Sequence, residues 1–495
     1  MAEPLLIGVD LGTTNGKVAC YDLQGRLWAE AARTYPTYRP RPGWHEQDPR
    51  DWIAALGSAL REVSDQLGPR VEDVAALSVS SFGPGLVMLD SGGEPLAHCP
   101  TWQDERSRPQ GQRLVEAVGA DWIGPAPPLT GFPAKLLWAI EEMPDQIAHA
   151  AWVLGIKDYL LYWLTGEIVT EPSSISGGKE WYVPVFEYIG WPLERLPRVI
   201  ASTASPGGLR KDLAQQVGLS PDTPVFAGLN DGAAATLGSG AVHVGESVAT
   251  LATNGVARLV LAERIPSHDV LRRHLFTWPY VAGLWVGGGI THSGAGSLQW
   301  LADQLGLPRD PAAYDALLAE TAAVPRGSAG VTFLPYLAGR GTPEADPDLR
   351  GGFVGVGLEH GRAHLVRAVL EGIAFALREI YAEFERLGMA VGPVRLTGGG
   401  ARSALWRQIL ADVLQRPIIR AGGDSTLGVA IVAAVGLGFY PDFATATRVM
   451  VKPLSHEIPD PEGVGEYTFL FDAFVRTRDA LLNAPRARVT HPHTP

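Results

Sequence analysis

Cysteine is the scarcest residue of this 495-residue chain, which contains only Cys20 and Cys99. Two cysteines cannot build a disulfide framework, and this pair lacks the spacing of a metal-binding motif. We therefore expect neither a fold held together by disulfides nor a cysteine metal site.

Positive charge and long apolar runs are also in short supply. Lysine and arginine together number 41 against 53 aspartates and glutamates, and the resulting net charge of −12 disfavours nucleic acid and anionic membranes as partners. No apolar run reaches the length of a membrane span, and residues 1–4 lack the basic and apolar regions of a signal peptide. We expect a soluble, cytoplasmic protein.

Glycine and proline, by contrast, are plentiful, with 58 and 39 residues, and 46% of the chain is hydrophobic. This composition is typical of a globular protein with many turns. A chain of 495 residues corresponds to about two to four domains.

The N-terminal stretch combines an apolar strand with a polar turn. Apolar residues lead into Asp10, small residues form the turn, and a second strand begins at Val18. Hydroxyl and N–H groups of such a turn can donate to phosphate oxygens, and the carboxylate can hold Mg²⁺ through water. An ordinary polar hairpin has the same pattern. A Walker A loop is excluded, because three residues separate Gly12 from Gly16 and Val18 replaces its serine or threonine.

A second unit of the same kind lies in the other half of the chain. The tripeptide Thr-Asn-Gly of the first turn recurs at 253–255, again between two predicted strands, and Thr253 follows Thr14 by 239 residues. Repetition at equivalent points of two strand-turn-strand units predicts two related α/β domains. Each domain would present a phosphate-binding loop to one cleft.

Two further segments carry groups suited to a small polyhydroxylated ligand. Trp102 can cover the C–H face of a sugar, while Asp104 and Arg106 can bond its hydroxyls. A surface turn with a half-buried tryptophan fits the same residues. The strand at 224–229 delivers Asp231 to the start of a helix, where ligands bind in open α/β sheets. An ordinary N-cap aspartate is the alternative there.

Glycines at 398–400 stand between a predicted strand and a helix, an arrangement that lets a nucleotide approach backbone amides. The pattern is not G-x-G-x-x-G, so a dinucleotide fold is the weaker interpretation. Thr291 stands where a nucleophile elbow around Ser293 needs glycine, so we do not expect a serine hydrolase.

Local patterns make three more predictions. Residues 86–90 and 94–98 flank a Ser-Gly-Gly turn and predict a hairpin. Residues 165–210 are rich in serine, glycine and proline and predict irregular loops over the cleft. Residues 484–495 predict a frayed tail.

Together these motifs resemble those of the FGGY carbohydrate kinases, two-domain members of the actin/Hsp70-like ATPase group. The resemblance covers roughly residues 5–455. The segments that carry it are the Asp10 loop, Asn230-Asp231-Gly232, the run from Gly351 to Glu371, and the segments Leu396–Ser403 and Trp406–Asp412.

The resemblance implies an α/β fold of two related actin-like (ribonuclease H-like) domains with a catalytic cleft between them. The domains would span 1–243 and 244–455, followed by a C-terminal helix and flexible tail at 456–495. The resemblance further implies an enzyme that uses ATP and Mg²⁺ to phosphorylate a hydroxyl of a small sugar, sugar acid or polyol, similar to xylulose or gluconate. The first domain would hold the acceptor and the second the nucleotide.

The resemblance also implies roles for single residues. Asp231 would be the general base that accepts the proton of the acceptor hydroxyl, with Asp10 as the second catalytic carboxylate, and both would hold the metal through water. The ATP-binding residues implied are Thr13, Thr14, Lys17, Thr253, Asn254, Gly296, Gln299, Gly399, Gly400 and Ser403. The substrate-binding residues implied are Gly83, Pro84, Trp102, Asp104 and Asp231.

Departures from the family pattern leave the acceptor open. Gly83-Pro84 stands where xylulokinases and gluconokinases usually carry Met-His, and Gly232 stands where xylulokinases carry asparagine. Residues 252–255 read Ala-Thr-Asn-Gly instead of the usual Gly-Thr-Ser-Gly, and residues 340–341 read Arg-Gly where Glu-Arg is common.

Two other functions remain as alternatives. The phosphate-binding loops also suit an actin/Hsp70-like ATPase whose turnover drives a conformational change, and the altered loop at 252–255 suits a sugar sensor without kinase activity. Trp102, Asp104 and Asp231 favour the kinase, since a pure ATPase needs no pocket for a polyol. The sequence leaves open whether the chain forms a homodimer.

Overall fold

The computed structural model describes residues 3–124, 128–175, 178–308 and 310–483, so the tail predicted at 484–495 lies outside the described residues. The strands are β1 (Leu5–Leu11), β2 (Asn15–Asp22), β3 (Leu27–Thr34), β4 (Glu46–Gln47), β5 (Val74–Ser81), β6 (Val87–Leu89), β7 (Cys99–Pro100), β8 (Trp152–Leu154), β9 (Val169–Thr170), β10 (Arg198–Val199), β11 (Gly207–Gly208), β12 (Pro224–Asn230), β13 (Ser247–Leu251), β14 (Gly255–Leu261), β15 (Phe276–Pro279), β16 (Trp285–Thr291), β17 (Thr332–Leu334), β18 (Gly352–Val354), β19 (Val394–Thr397), β20 (Ile418–Ala421) and β21 (Pro453–Glu457). The α-helices are α1 (Pro49–Leu67), α2 (Arg108–Val118), α3 (Phe132–Glu142), α4 (Pro144–His149), α5 (Ile156–Thr165), α6 (Val183–Ile189), α7 (Lys211–Val217), α8 (Asp231–Gly238), α9 (Ser267–Arg273), α10 (Ala295–Gln304), α11 (Pro311–Ala322), α12 (Arg362–Arg386), α13 (Ala404–Leu414), α14 (Ser425–Gly436), α15 (Phe443–Met450) and α16 (Pro461–Asn483). None of these described helices is both long enough and apolar enough to cross a lipid bilayer.

The first sheet has six strands in the order β11-β12-β5-β1-β2-β3. Strands β1, β2 and β3 are antiparallel neighbours, whereas β5 and β12 run parallel to β1. Strand β1 is apolar on both faces because both faces are covered: Ile7 packs in the core that contains α1, and Leu6 packs in the core that contains α14. The strand therefore carries Asp10, its next-to-last residue, into the interior of the molecule.

The second sheet repeats this topology. Its order is β15-β16-β14-β13-β19-β20-β21, with β13, β14 and β16 antiparallel and with β19 and β20 parallel to β13. If β13 is taken as the counterpart of β1, every strand of the first sheet has a counterpart in the second, and β15 is an addition at one edge. The prediction of two related α/β domains is confirmed by this shared strand order.

Helices α8 and α14 join the two halves. Each follows the counterpart strand of its sheet, β12 or β20, and the two helices pack against each other. Small residues permit the close approach: a Cβ at Gly428 would lie 1.9 Å from the carbonyl oxygen of Ala234, and one at Gly8 would lie 2.0 Å from that of Thr426. The limits 1–243, 244–455 and 456–495 stay a prediction, and α14 packs on the first sheet although it belongs by sequence to the second interval.

The hairpin predicted from residues 86–90 and 94–98 is present in a short form. The N–H of Asp90 donates to the carbonyl of Glu94 at 3.0 Å, the N–H of Leu96 donates to the carbonyl of Met88 at 2.9 Å, and an isolated bridge joins Leu89 to Pro95. Strand β6 also pairs with β8, which no local pattern predicted. The prediction of irregular loops at 165–210 was wrong in part. The segment 165–210 contains irregular loops but also helix α6, whose Val185 and Phe186 are buried in the core.

Candidate active site

Two cavities meet at the carboxylate of Asp231. One, which we call the aromatic cavity, has a volume of about 200 Å³ and is lined among others by Phe82, Trp102, Phe132, Phe276 and Trp278. The other, which we call the Asp10 cavity, has a volume of about 420 Å³ and is lined among others by Asp10, Thr250, Thr397, Gly398, Asp424 and Ser425. Asp231 and Arg258 border both cavities.

Asp231 stands at the junction because its neighbour fixes the start of α8. The Oδ1 of Asn230 accepts the N–H of Ala233 at 2.8 Å, so Asn230 is the N-cap and Asp231 is the first residue of the helix. The interpretation of Asp231 as an ordinary N-cap is therefore wrong. Its Oδ1 accepts the N–H of Gly232 at 2.6 Å, and its side chain is exposed in the cleft.

A buried polar network holds Asn230 in place. Asn230 donates its N–H to the hydroxyl of Ser173 at 2.8 Å and its Nδ2 to the carbonyl of Ser173 at 2.6 Å. The buried carboxylate of Glu171 accepts the N–H and the hydroxyl of Ser173, at 2.8 and 2.7 Å, and the Nζ of Lys157 lies 3.6 Å from that carboxylate. The direction in which Asp231 leaves the backbone is thus set by groups that hydrogen-bond one another away from solvent.

The surroundings of Asp231 change its acidity. Reduced hydration inside the cleft, together with repulsion from Asp10, raises the pKa of Asp231 to about 6, while Arg258 and the N–H of Gly232 act in the opposite direction. The carboxylate is still ionised at neutral pH but binds a proton more readily than an ordinary aspartate does. Such a group is suited to act as a general base.

Asp10 is held from both halves of the molecule. Its Oδ1 accepts the hydroxyl of Ser80 on β5 at 2.5 Å, and its Oδ2 accepts the hydroxyl of Ser425 on α14 at 2.7 Å. Burial raises the pKa of Asp10, and these two hydrogen bonds oppose the rise. The position of this carboxylate therefore depends on α14 remaining packed on the first sheet.

Lys17 lies beside this site and is engaged by two carboxylates. Its Nζ is 3.0 Å from Asp424 and 2.9 Å from Glu30. Burial works against its charge, yet Asp424 and Glu30 together raise the pKa of Lys17 above its usual range. Asp424, which no sequence pattern identified, is also the N-cap of α14. The available signal was the run Gly-Gly-Asp-Ser-Thr at 422–426, where the loop after β20 leads into α14.

The predicted substrate residues divide into two groups. Gly83, Pro84 and Trp102 line the aromatic cavity, and so does Thr13, whose hydroxyl accepts the Nε1–H of Trp102 at 3.0 Å. Asp104 does not line this cavity. It is fully buried, where its carboxylate accepts hydrogen bonds from Arg106 at 2.7 and 2.8 Å and from the N–H of His45 at 2.7 Å. Thr14 is exposed and lies next to Thr13 in the turn.

The second turn packs against the start of α10. The carbonyl of Thr253 accepts the N–H groups of Gly294 at 3.0 Å and Gly296 at 3.3 Å, and a Cβ at Gly296 would come within 2.8 Å of that carbonyl. Asn254 closes the turn by accepting the N–H of Ala252 at 3.0 Å. Thr253, Asn254 and Gly296 are thus adjacent, as the predicted phosphate loop requires.

The remaining predicted nucleotide residues have other immediate partners. Gln299 of α10 accepts a hydrogen bond from the hydroxyl of Tyr314 in α11 at 2.5 Å. It donates one to Asp303 in its own helix at 2.8 Å. Gly399 and Gly400 belong to the 3₁₀ turn Gly399–Arg402, and the side chain of Ser403 caps α13. In this segment Gly398, Ala401 and Arg402 line the Asp10 cavity.

The sequence analysis also missed Arg258, which sits in the middle of β14. Its Nη1 donates to the hydroxyl of Thr250 at 3.0 Å. A single charged residue in the otherwise apolar strand Gly-Val-Ala-Arg-Leu-Val-Leu was the available signal.

Comparison with known proteins identifies the family. Residues 5–238 match the N-terminal domain of the FGGY family of carbohydrate kinases, and residues 233–437 match its C-terminal domain. The chain belongs to this FGGY family. The xylulose kinase of Bacillus subtilis is 30% identical, over 95% of each chain, and the gluconokinase of the same species is 28% identical, over 97% of this chain and 96% of that protein. The crystal structure of gluconate kinase from Lactobacillus acidophilus superposes with a TM-score of 0.87 at 26% identity, covering 98% of this chain and 99% of that one.

Membership of the FGGY family confirms three predictions: the family itself, the two-domain α/β fold and the classification as a carbohydrate kinase. The comparisons do not favour the alternatives of a pure ATPase or a sugar sensor. Similar relatives include both a xylulose kinase and a gluconokinase, so likeness to relatives leaves the identity of the sugar open.

Proposed function

We propose that this FGGY kinase uses ATP to phosphorylate a hydroxyl of a small sugar, sugar acid or polyol, xylulose-like or gluconate-like, with Asp231 as the general base. The observation that carries the proposal is the position of Asp231, which borders both cavities and has a pKa raised to about 6. A carboxylate at this junction can take a proton from a hydroxyl in one cavity while phosphate approaches from the other.

The aromatic cavity is the proposed acceptor site. Its indole and phenyl rings offer faces for the C–H groups of a sugar, and its few polar groups can orient hydroxyls. Trp102 donates a hydrogen bond to Thr13, which joins the wall of the acceptor cavity to the first turn. We assign Asp104 an indirect part, since its buried ion pair with Arg106 supports the loop that carries Trp102.

The Asp10 cavity is the proposed site of the ATP phosphates. The backbone at Gly398 and Gly423 lines it, which lets phosphate oxygens approach without obstruction by side chains. The assignments of Thr13, Thr14, Lys17, Thr253, Asn254, Gly296, Gln299, Gly399, Gly400 and Ser403 to ATP remain part of this proposal.

The carboxylates of Asp10 and Asp231 fit Mg²⁺. Both border the Asp10 cavity, and the described residues contain no cluster of three or more histidine, cysteine or acidic residues that could hold a metal alone. This donor set agrees with the usual manner of binding Mg²⁺, through one or two carboxylates, water and substrate phosphates. When bound, the metal would neutralise charge on the phosphates.

The protein residues then supply positioning and proton transfer. Asp231 accepts the proton of the acceptor hydroxyl, the acceptor oxygen forms its bond to the γ-phosphorus, and the bond from that phosphorus to ADP breaks. A positioned base of this kind contributes on the order of 10²–10⁴-fold to the rate. Asp10, fixed by Ser80 and Ser425, borders the cavity proposed for the phosphates.

The test is ADP release across ketopentoses, aldonates, polyols and glycerol, for the wild type and Asp231→Asn. Asp222→Asn, at an exposed turn before β12, is the matched control. We expect ADP release that depends on one class of acceptor, is lost in Asp231→Asn and is retained in Asp222→Asn. Release that ignores every acceptor and survives the change at Asp231 would contradict the proposal and favour the ATPase.

A further inference from the structure

Arg258 has no role in the proposed mechanism, although it borders the same two cavities as Asp231. It lies in the middle of β14, and its side chain borders both the aromatic cavity and the Asp10 cavity. An arginine pointing into the junction of two cavities needs a reason, because withdrawing a guanidinium from water is costly unless an acceptor replaces the lost hydration.

The protein supplies only part of that replacement. The Nη1 of Arg258 donates to Thr250, whose hydroxyl is in turn 3.0 Å from that of Thr397. The Nε is shielded from solvent and has no hydrogen-bond acceptor among the described residues. Within the described chain the guanidinium forms no ion pair, and Asp231 acts on it only at longer range. Arg258 therefore retains capacity for a ligand with acceptor oxygens.

Gly232, the residue after Asp231, has no side chain, and this leaves room for the side chain of Arg258. A Cβ at Gly232 would lie 3.3 Å from the Nε of Arg258 and 2.6 Å from the Cζ2 of Trp278. A larger residue at this position would press on both side chains. The Nε1 of Trp278 is a second buried donor without a described partner. The two side chains that adjoin Gly232, the residue after the proposed base, thus each carry a buried N–H donor without a described partner.

We propose that Arg258 binds the transferring phosphoryl group and stabilises its charge during transfer. This inference rests on the proposed function and deepens it. The phosphoryl group is the one part of the substrates that has to pass from the Asp10 cavity to a hydroxyl held at Asp231, and Arg258 borders that passage. Its anchor, Thr250, lies on the Asp10 side, which holds the guanidinium near the phosphates rather than deep in the aromatic cavity.

The role requires no proton transfer from Arg258. The proton of the acceptor hydroxyl goes to Asp231, one phosphorus–oxygen bond forms and one breaks, and ADP leaves. The loose, metaphosphate-like transition state spreads its negative charge over three equatorial oxygens, and a guanidinium fixed at this place can donate to two of them in a bidentate manner. Arg258 stays protonated throughout.

The test compares Arg258→Met and Arg258→Lys with the wild type. The control is Arg395→Met, in β19 of the same sheet, where the guanidinium pairs with Glu246 at 2.8 Å away from both cavities. We measure kcat, KM for the acceptor and, by calorimetry, binding of MgADP. We expect Arg258→Met to lower kcat by about 10²–10³-fold, with MgADP affinity and acceptor KM close to wild type, and Arg258→Lys to lose less. The control should be unchanged.

Chemical rescue gives a readout that a structural role would not move. Added guanidinium should restore part of kcat to Arg258→Ala and none to Asp231→Asn. If Arg258→Met fails to fold, as judged by loss of MgADP binding, the lysine variant and this rescue decide.

Three results would overturn the inference. The first is a wild-type kcat in Arg258→Met, and the second is the absence of rescue in a folded Arg258→Ala. The third is an increase in KM limited to anionic acceptors with kcat intact, which would assign Arg258 to an acceptor carboxylate. Failure of the proposed function looks different, since the wild type itself would then show no acceptor-dependent release of ADP.

Discussion

The raised pKa of Asp231 predicts that the ionised carboxylate, which the reaction needs, lowers the free energy of unfolding. Its carboxyl has a pKa of about 6 in the folded chain against an ordinary value of 3.8. The folded state therefore binds the proton more readily than the unfolded state, and stability contributed by this group is present below the lower value and lost as pH rises through the upper one. Above about pH 6 the ionised carboxylate destabilises the fold.

The magnitude follows from the same two values. The difference corresponds to about 3 kcal/mol at neutral pH if it is taken at face value. Because the side chain is exposed in the cleft, solvent screening reduces this figure, and we expect about 1 kcal/mol. Asparagine keeps the Oδ1 that accepts the N–H of Gly232, so Asp231→Asn removes the charge and little else.

The assay is thermal denaturation of Asp231→Asn and wild type at pH 8 and pH 5. The variant should melt at a higher temperature at pH 8, and its advantage should shrink at pH 5, where part of the wild-type population carries the proton. Asp222→Asn should show no such advantage. The reasoning would be refuted if Asp231→Asn melted no higher than the wild type at pH 8. It would also be refuted if the difference in melting temperature were the same at pH 8 and pH 5.

Three further predictions follow from the site and the fold. The kcat/KM of the wild type should fall below about pH 6, by about tenfold per pH unit, because protonated Asp231 cannot accept a proton. Asp10→Asn removes the charge that repels Asp231, so the acidic decline in the remaining kcat/KM should move to lower pH. An acidic decline centred near pH 4 in the wild type would contradict the assignment of Asp231. Asn230→Ala should cost about 0.5–2 kcal/mol in a thermal or urea titration and also lower kcat, because the cap of α8 and the bond from Nδ2 to the carbonyl of Ser173 disappear, while the backbone N–H of residue 230 still donates to the hydroxyl of Ser173; full activity would show that the network does not position Asp231. Gly428→Ala should destabilise the fold by about 1–3 kcal/mol, because its Cβ would meet the carbonyl of Ala234 at 1.9 Å, whereas Gly352→Ala, with open space around it, should not; equal melting temperatures for the two variants would contradict the packing of α8 on α14.

Local sequence patterns predicted the parts of this molecule that are built locally. The two strand-turn-strand units, the strand before Asp231 and the glycine turn at 398–400 all depend on residues close in sequence, so alternation and turn residues identify them. The resemblance to the FGGY family then placed Asp10 and Asp231 in one cleft, and in the structure both border the Asp10 cavity.

What the sequence did not predict depends on contacts between distant residues. Asp104 was assigned to the acceptor because it is near Trp102 in sequence, but its orientation is set by Arg106 and by the backbone of His45, which direct it into the interior. Arg258 looks like a solvent-facing residue of a strand until the start of α8, at Gly232, is placed beside it. The packing of α14 on the first sheet is likewise invisible to any local pattern.

The repeated topology places a carboxylate at the start of both α8 and α14, and these two carboxylates differ in their partners. The counterparts of Asn230 and Asp231 at the start of α8 are Asp424 and Ser425 at the start of α14. In α14 the acidic residue is itself the N-cap, and although burial alone would raise its pKa, Lys17 and the hydroxyl of Thr426 lower it.

In α8 a neutral asparagine performs the capping, and within the described chain no cation lies at hydrogen-bond distance from the following aspartate, whose pKa is raised. If residue 230 were the aspartate and capped α8, as Asp424 caps α14, the carboxylate would be engaged by the N–H groups of the helix and would not be available to the acceptor. We therefore expect the order amide then carboxylate at 230–231 to matter as much as the carboxylate itself. The double variant Asn230→Asp with Asp231→Ser, which copies the α14 sequence into α8, keeps an oxygen to cap the helix but loses the donation from Nδ2 to the carbonyl of Ser173, so it should be less stable than the wild type and have no kinase activity. Retained activity would show that the base lies elsewhere.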